Sequence, residues 1–206
     1  MTKLKIHGMA QSTFTRTVRL ACHEKGIDYE LVTAMPGEVG AVNPFGKIPV
    51  MVQDDFTLYE SLAIVRYLDR TFAGPRLWPD EARQAAICDQ WISAVCDSLV
   101  GSALHYLAAR FGFFALPEEM VTRHLERTRA LVPIFDRQLG RSRYLAGDHM
   151  TAADLFLAPI FLYFPGLPEL KSIAEAAPNC TRWARDMGAR PSIKATDSEQ
   201  KPQLAA

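Results

Sequence analysis

The apolar positions of this chain change period part-way along. Up to residue 72 they form short runs that switch between strand-like and helix-like spacing. After residue 81 they recur every three or four residues, with few interruptions. In the first part, residues 4–7 predict a strand. Residues 15–25 predict a helix with Val18, Ala21 and Cys22 on one face and Gly26 as its stop. Residues 29–32 predict a second strand. Residues 49–53 and 57–59 flank a turn at Asp54-Asp55 and predict two more. Residues 61–72 close this part as a helix, with Ile64, Tyr67, Leu68 and Phe72 facing inward. The order is βαβ then ββα, which implies a mixed sheet with helices packed on it.

The stretch Gly74-Pro75-Arg76-Leu77-Trp78-Pro79 breaks the pattern and reads as a linker. Beyond it the chain is helical. Residues 81–111 predict one long helix, bent near Gly101. Pro117 suits the first turn of the next helix, whose apolar positions are Val121, Leu125, Val132, Phe135 and Leu139, with a kink expected at Pro133. Thr151-Ala152-Ala153-Asp154 is a capping box, and Met150 can staple onto Leu155. The helix it opens is apolar nearly all round, so it should be the buried centre of this half. Pro178-Asn179 starts a further helix through Met187. The tail after Pro191 is polar and reads as loosely held. The expected fold class is an α/β domain with a mixed four-stranded sheet at 1–73, a linker at 74–80, and an all-α helical bundle at 81–206.

Composition narrows the function classes. The chain has 206 residues, with 23 basic and 23 acidic side chains and 49% apolar content. Zero net charge argues against a sequence-independent nucleic-acid binder. The start, Met1 to Ile6, has no apolar signal-peptide region. The apolar run around residues 155–167 is too short to span a bilayer and contains Pro159 and Pro165. The expectation is a cytoplasmic, soluble protein. The cysteines Cys22, Cys88, Cys96 and Cys180 show no C-x-x-C spacing. Cys88 and Cys96 lie about 12 Å apart on one helix, beyond the roughly 7 Å limit for a disulfide. The five histidines are scattered without ligand spacing, so no metal site is expected.

Two places could carry chemistry. In Asn43-Pro44-Phe45-Gly46-Lys47-Ile48-Pro49-Val50, a proline stands directly before an apolar run. Proline cannot donate to a strand ladder, but it can be the first residue of a strand, especially after a cis bond. A cis turn at Ile48-Pro49 would leave the Ile48 backbone free to pair with a peptide. Glu60-Ser61 at a helix start adds a carboxylate, a hydroxyl and a backbone N–H. These parts suit a small peptide with a free amine and carboxylates. The second place is the loop after the first strand, where Ser12 and Thr13 sit at a helix N-terminus. Serine there is either a cap or a ligand group. No Ser-His-Asp logic and no G-x-S-x-G elbow is visible.

Four motifs in order resemble one family. They are Ala10-Gln11-Ser12-Thr13 through Thr15-Arg16 and Val18 with His23-Glu24-Lys25; Asn43–Val50 with Tyr59-Glu60-Ser61; Thr151–Asp154; and Ala177-Pro178-Asn179 through Arg182-Trp183 to Ala189-Arg190-Pro191. Over nearly the whole chain the sequence resembles the cytosolic glutathione transferases of the serine type, phi/theta-like. The resemblance implies a thioredoxin-like N-terminal domain that binds glutathione, a helical domain for a hydrophobic electrophile, and a homodimer. By position, Ser12 would hydrogen-bond the glutathione sulfur and stabilise its thiolate. Ile48 would pair with the cysteinyl backbone and Pro49 would hold the cis turn. Glu60 and Ser61 would bind the γ-glutamyl end, and Lys47 the carboxylate at the glycine end. Electrophile-site candidates are Met9, Phe14, His105, Tyr106, Phe111, Phe113 and Phe114.

The segment 34–42 departs from the plant phi pattern. It is shorter, carries Pro36, Gly37 and Gly40, and lacks the basic residues that hold the glycine carboxylate. Positions 11 and 12 are Gln and Ser, so the redox-type cysteine is missing and thiolate addition is favoured over disulfide exchange. Peroxidase, isomerase or dehalogenase activity on the same thiolate stays open, as does a non-catalytic ligand-binding or partner-docking protein.

Overall fold

The computed structural model describes residues 3–197. Their contacts form two compact units, one of 3–77 with 190–197 and one of 78–189. The first unit holds β1 (Leu4–His7), α1 (Thr13–Lys25), β2 (Tyr29–Val32), β3 (Val50–Gln53), β4 (Phe56–Tyr59) and α2 (Ser61–Thr71). The sheet order is β2-β1-β3-β4. β1 pairs with β2 parallel, and the other two pairings are antiparallel. This is the expected mixed, thioredoxin-like sheet. Helix α1 starts two residues earlier than its apolar pattern predicts, because Ser12 caps it. Strand β3 starts at Val50 and excludes Pro49, which has no N–H to offer the ladder.

Alternation sets the sheet faces. Leu4 and Ile6 are buried and Lys5 between them is exposed. Helices α1 and α2 pack on each other through fully buried residues that include Val18, Ala21, Cys22, Ile64, Val65 and Leu68. Burial pushes the Cys22 thiol up to about 12, which makes it an inert core group. The Lys25 ammonium donates to Asp69 at 3.3 Å and to the Pro75 carbonyl at 3.1 Å. Asp69 also accepts from the Leu77 N–H at 2.8 Å. One buried ion pair thus ties the ends of both helices to the chain that leaves the unit.

The tail corrects an expectation. Its described part is docked, not loose. Pro191–Ala195 is a short helix, and Ser192, Ile193 and Thr196 are buried. Arg190 grips Glu24 through two hydrogen bonds of 2.8 and 2.6 Å, and the Ser192 hydroxyl donates to the same carboxylate. Arg16 donates to the Ile193 carbonyl at 3.2 Å. The polar side chains that suggested solvent exposure are the docking groups.

The second unit contains one continuous helix, Ala82–Arg110. Its middle, Ala94–Leu104, is wound as a π-helix, and this wider winding spans Gly101, where a bend was expected. Helix Glu118–Leu139 continues through Pro133. Pro133 and the Arg129 carbonyl it leaves unbonded lie on the exposed side, so water can satisfy that group. Every residue of Ala152–Phe161 is buried, as its all-round apolar pattern requires. The capping box is present. The Asp154 carboxylate accepts from the Thr151 N–H, the Leu145 N–H and Trp183 Nε1 at 2.9, 3.1 and 2.9 Å. Burial pushes the Asp154 carboxyl upward, against the pull of these donors. Helices Pro168–Glu175 and Pro178–Gly188 complete the unit. Helix Ala82–Arg110 is long and apolar enough to cross a membrane, but 44% of its most apolar window is buried within the protein. Its apolar residues pack on helices 118–139 and 152–161, as a core helix's do.

The Glu24 anchor has a pH signature. Burial raises its carboxyl, but the hydrogen bonds and charge of Arg190 and Ser192 win and hold it below its usual value of 4.5. A depressed acid contributes stability above its unfolded value and loses it as pH falls. Wild type should exceed Glu24→Gln by about 1–3 kcal/mol at neutral pH. Urea denaturation should show that gap closing as pH drops below 4.5.

Candidate functional site

The register of the sheet collects the candidate residues. His7 lies opposite Val32 on one side and Val50 on the other, and Val50 lies opposite Tyr59. The row Val32–His7–Val50–Tyr59 therefore runs straight across one end of the sheet. Neighbouring strands are about 4.8 Å apart, so His7 and Tyr59 are separated by roughly 10 Å. The loop that follows His7 carries Ser12. Ile48-Pro49 precedes Val50, and Glu60-Ser61 follows Tyr59. All leave the sheet at this one end, and α1 and α2 both begin there. The partial positive charge of two helix N-termini comes with them. Neither first turn carries an acid.

Ser12 caps α1. Its hydroxyl oxygen accepts from the Thr15 N–H at 3.4 Å. Accepting at oxygen leaves the hydroxyl proton able to donate elsewhere, so the capping and ligand readings are compatible. The loop before it lies tight on the helix. A Cβ added at Gly8 would fall 2.4 Å from the Thr15 hydroxyl, so no larger residue fits there without a shift.

The Ile48–Pro49 bond is cis, and Pro49 is buried. The Ile48 N–H and C=O are paired with none of the described residues. Asn43 shapes the approach to it. Its Nδ2 donates to the Lys47 carbonyl at 2.7 Å and its Oδ1 accepts from the Phe45 N–H at 3.0 Å. Ala34, Val39 and Val50 form a small buried cluster with Ile48 and Tyr59 against it, which seats the 34–47 segment on the sheet. The Lys47 side chain is exposed.

Glu60 has φ 66° and ψ 114°, a backbone state that favours glycine. Its side chain is exposed and makes no capping hydrogen bond, so its carboxylate is not engaged by its own helix. Ser61 is the buried first residue of α2. Its N–H is one of the first-turn donors that a helix cannot satisfy internally.

Met9 and Phe14 are half-buried on either side of Ser12 in the chain. In the second unit, His105 meets Phe114 edge-on at 6.0 Å and stacks on His124 at 5.1 Å. Phe111 packs edge-on against Tyr163 at 5.9 Å. Phe113 and Phe114 are exposed, while Tyr106 is wholly buried. Tyr106 is therefore a core residue of that unit, unlike its exposed neighbours. Among the described residues no group of three or more His, Cys, Asp or Glu side chains could hold a metal ion.

Comparison with known proteins decides what this arrangement belongs to. Residues 6–76 match the glutathione S-transferase N-terminal domain and residues 93–191 the C-terminal domain. A probable glutathione S-transferase of Oryza sativa subsp. japonica is 31% identical, with 100% of each chain covered. The chain belongs to the glutathione S-transferase family. Arabidopsis thaliana glutathione S-transferase F14 is 32% identical, over 92% of this chain and 80% of the relative. The structure of an apo glutathione S-transferase III superposes with a TM-score of 0.84 at 30% identity, covering 95% of both chains. Poplar glutathione transferase F1 shares the fold with a TM-score of 0.86 at 24% identity, over 95% of this chain and 97% of its own. The serine-type, phi-like resemblance in the sequence thus leads to the right family.

Sequence reasoning missed two side chains here. Asn43, immediately before a proline and three residues before Gly46, bears an asparagine-turn signal that could have been used. His124 carries no local signal, because only the packing of two helices stacks it on His105. Burial first, then the neighbouring His105 and Arg123 charges, holds its imidazole below the usual value.

Glu60 yields a stability test. Its positive φ costs on the order of 1–3 kcal/mol. Glycine removes that cost but adds about 0.5–1 kcal/mol of unfolded-chain entropy. Glu60→Gly should raise stability by about 1 kcal/mol in urea denaturation, and Glu60→Ala should show no such gain.

Proposed function

We propose that this protein binds glutathione at the Ser12–Ile48–Glu60 end of its sheet, holds the thiol as thiolate, and adds it to hydrophobic electrophiles. The observation that carries this is the Ser12 hydroxyl, at the N-terminus of α1, with its proton available to a sulfur. Ile48 pairs its backbone with the cysteinyl unit, and Pro49 fixes the turn that presents it. Glu60 faces the γ-glutamyl ammonium, while Ser61 and its N–H receive that end's carboxylate. Lys47, exposed beside Ile48, takes the glycine carboxylate in place of the basic residues that segment 34–42 lacks. In support, a structural relative at 26% identity, with a TM-score of 0.83 over 95% of this chain and 98% of its own, is a glutathione S-transferase bound with lactoylglutathione.

The energetics are sufficient. Lowering a free thiol from about 8.5 by two units needs about 2.7 kcal/mol of differential stabilisation. One hydroxyl donor to a charged acceptor supplies about 1.5–3 kcal/mol, and a helix N-terminus about 0.3–1 more. Ser12 attacks nothing. It stabilises charge on a sulfur that does the chemistry, with positioning as the second contribution. Met9 and Phe14 are the apolar groups nearest Ser12 in sequence. In the second unit, exposed Phe113 and Phe114 beside His105 and Phe111 offer apolar surface for the electrophile, with Tyr106 as buried support. A homodimer working in the cytoplasm completes the proposal. Phe45, 65% exposed, with Met35 and Val42 in the same segment, is an apolar patch that a second copy can cover.

Ser12→Ala should cut glutathione conjugation at least tenfold and leave the glutathione Kd within about threefold. The ultraviolet absorbance of the bound thiolate, titrated with pH, should move toward that of free thiol in the variant. An unchanged rate removes Ser12 from the mechanism. Glutathione at 100 times its Kd should add about 2.7 kcal/mol of stability. No thermal shift at millimolar glutathione supports the non-catalytic reading instead.

A further inference from the structure

We infer that Arg19 is a positioning residue for Ser12, and that it joins the docked segment 190–197 to the loop that carries the serine. The inference rests on the Ser12 reading above. Arg19 lies seven residues after Ser12, two turns along α1 and on nearly the same face. It is only 9% exposed. Its Nε donates to the Tyr29 hydroxyl at 3.0 Å. Its Nη1 reaches the Ala10 carbonyl and the Thr196 carbonyl, each at 3.4 Å. Ala10 is two residues before Ser12, in the loop between β1 and α1. Thr196 belongs to the segment that Glu24 and Arg16 hold on the same unit.

Arginine is unusual in this place. A buried guanidinium is costly unless paired, and among the described residues no carboxylate lies within ion-pair distance of this one. Its partners are two carbonyls and a phenol. The rigid fork of donors can hold all three at once, which a lysine ammonium on its flexible stem does less well. The same loop is also held by the Gly8 N–H on the Val32 carbonyl at 3.0 Å and by the Ser12 N–H on the Met9 carbonyl at 3.1 Å. Arg19 adds a side-chain hold at Ala10, between them. The charge also acts on sulfur nearby, since it pulls the buried Cys22 thiol downward against desolvation. The titratable groups around it are Cys22, His23 and Tyr29, with His23 in hydrogen-bond contact with Tyr29 at 3.3 Å.

A clamp on Ala10 sets where the Ser12 hydroxyl points, and a hydrogen bond to thiolate is sensitive to that direction. The test is the pH titration of bound glutathione thiolate, on the full chain, in wild type, Arg19→Ala and Tyr29→Phe. Arg19→Ala should raise the apparent pKa of the bound thiol by about one unit, a tenfold shift in its ionisation constant. The glutathione Kd should stay within about threefold. Tyr29→Phe keeps the ring and its packing but frees Nε, and should shift the same ionisation constant by about twofold to threefold. If Arg19→Ala does not fold, Tyr29→Phe alone carries the test. A thiol pKa equal to wild type in every variant that folds, with only a lower Tm, overturns the inference. Ser12→Ala in the same series separates the two ideas. If it too leaves the thiol pKa unmoved, the Ser12 reading fails; if it alone shifts the pKa, only the Arg19 clamp fails.

Discussion

The candidate site exists because of one register. His7 must sit opposite both Val32 and Val50, and Val50 opposite Tyr59, for the three loops to meet. Burial of Leu4, Ile6, Val50 and Met51 enforces that pairing. A slip of one residue would turn Lys5 inward and Ile6 outward, and would shift the starting point of every loop at that end. The hydrophobic effect on the sheet therefore sets the geometry of the polar groups beyond it. Neither Ser12 nor Glu60 needs a contact with the other to be placed near it.

Buried polar groups then hold the pieces that the sheet does not reach. Lys25 and Asp69 join the ends of α1 and α2 to the departing chain. Glu24, Arg16 and Arg19 dock the segment 190–197 on α1. In the second unit Asp154 closes its own helix start and reaches Leu145 and Trp183. In each case one side chain satisfies several donors or acceptors from distant parts of the chain. Such networks are stable when complete and costly when a member is lost, which makes them specific joints.

Much of the fold was legible because the signals were local. The stop at Gly26, the strand at 29–32, the capping box at 151–154 and the all-apolar helix it opens are each written in a few adjacent residues. The clearest error came where local polarity was read without its surroundings. The tail after Pro191 looked like solvated chain, but Ser192 and Thr196 are polar because they meet Glu24 and Arg16. Tyr106, grouped with exposed aromatics as an electrophile-site candidate, is buried in its unit, which no local pattern shows.

By itself the sequence determined the order of elements, the two kinds of architecture, and the motifs that point to the family. These follow from periodicity, caps and proline placement, all short-range properties of the chain. Only the tertiary structure decided that Ser12 can cap and still donate, that Glu60 stands in a glycine-like backbone state, and that Arg19 ties the far end of the chain to the serine loop. Those depend on groups up to 177 residues apart meeting in space, and no local pattern encodes where a buried guanidinium finds its carbonyls.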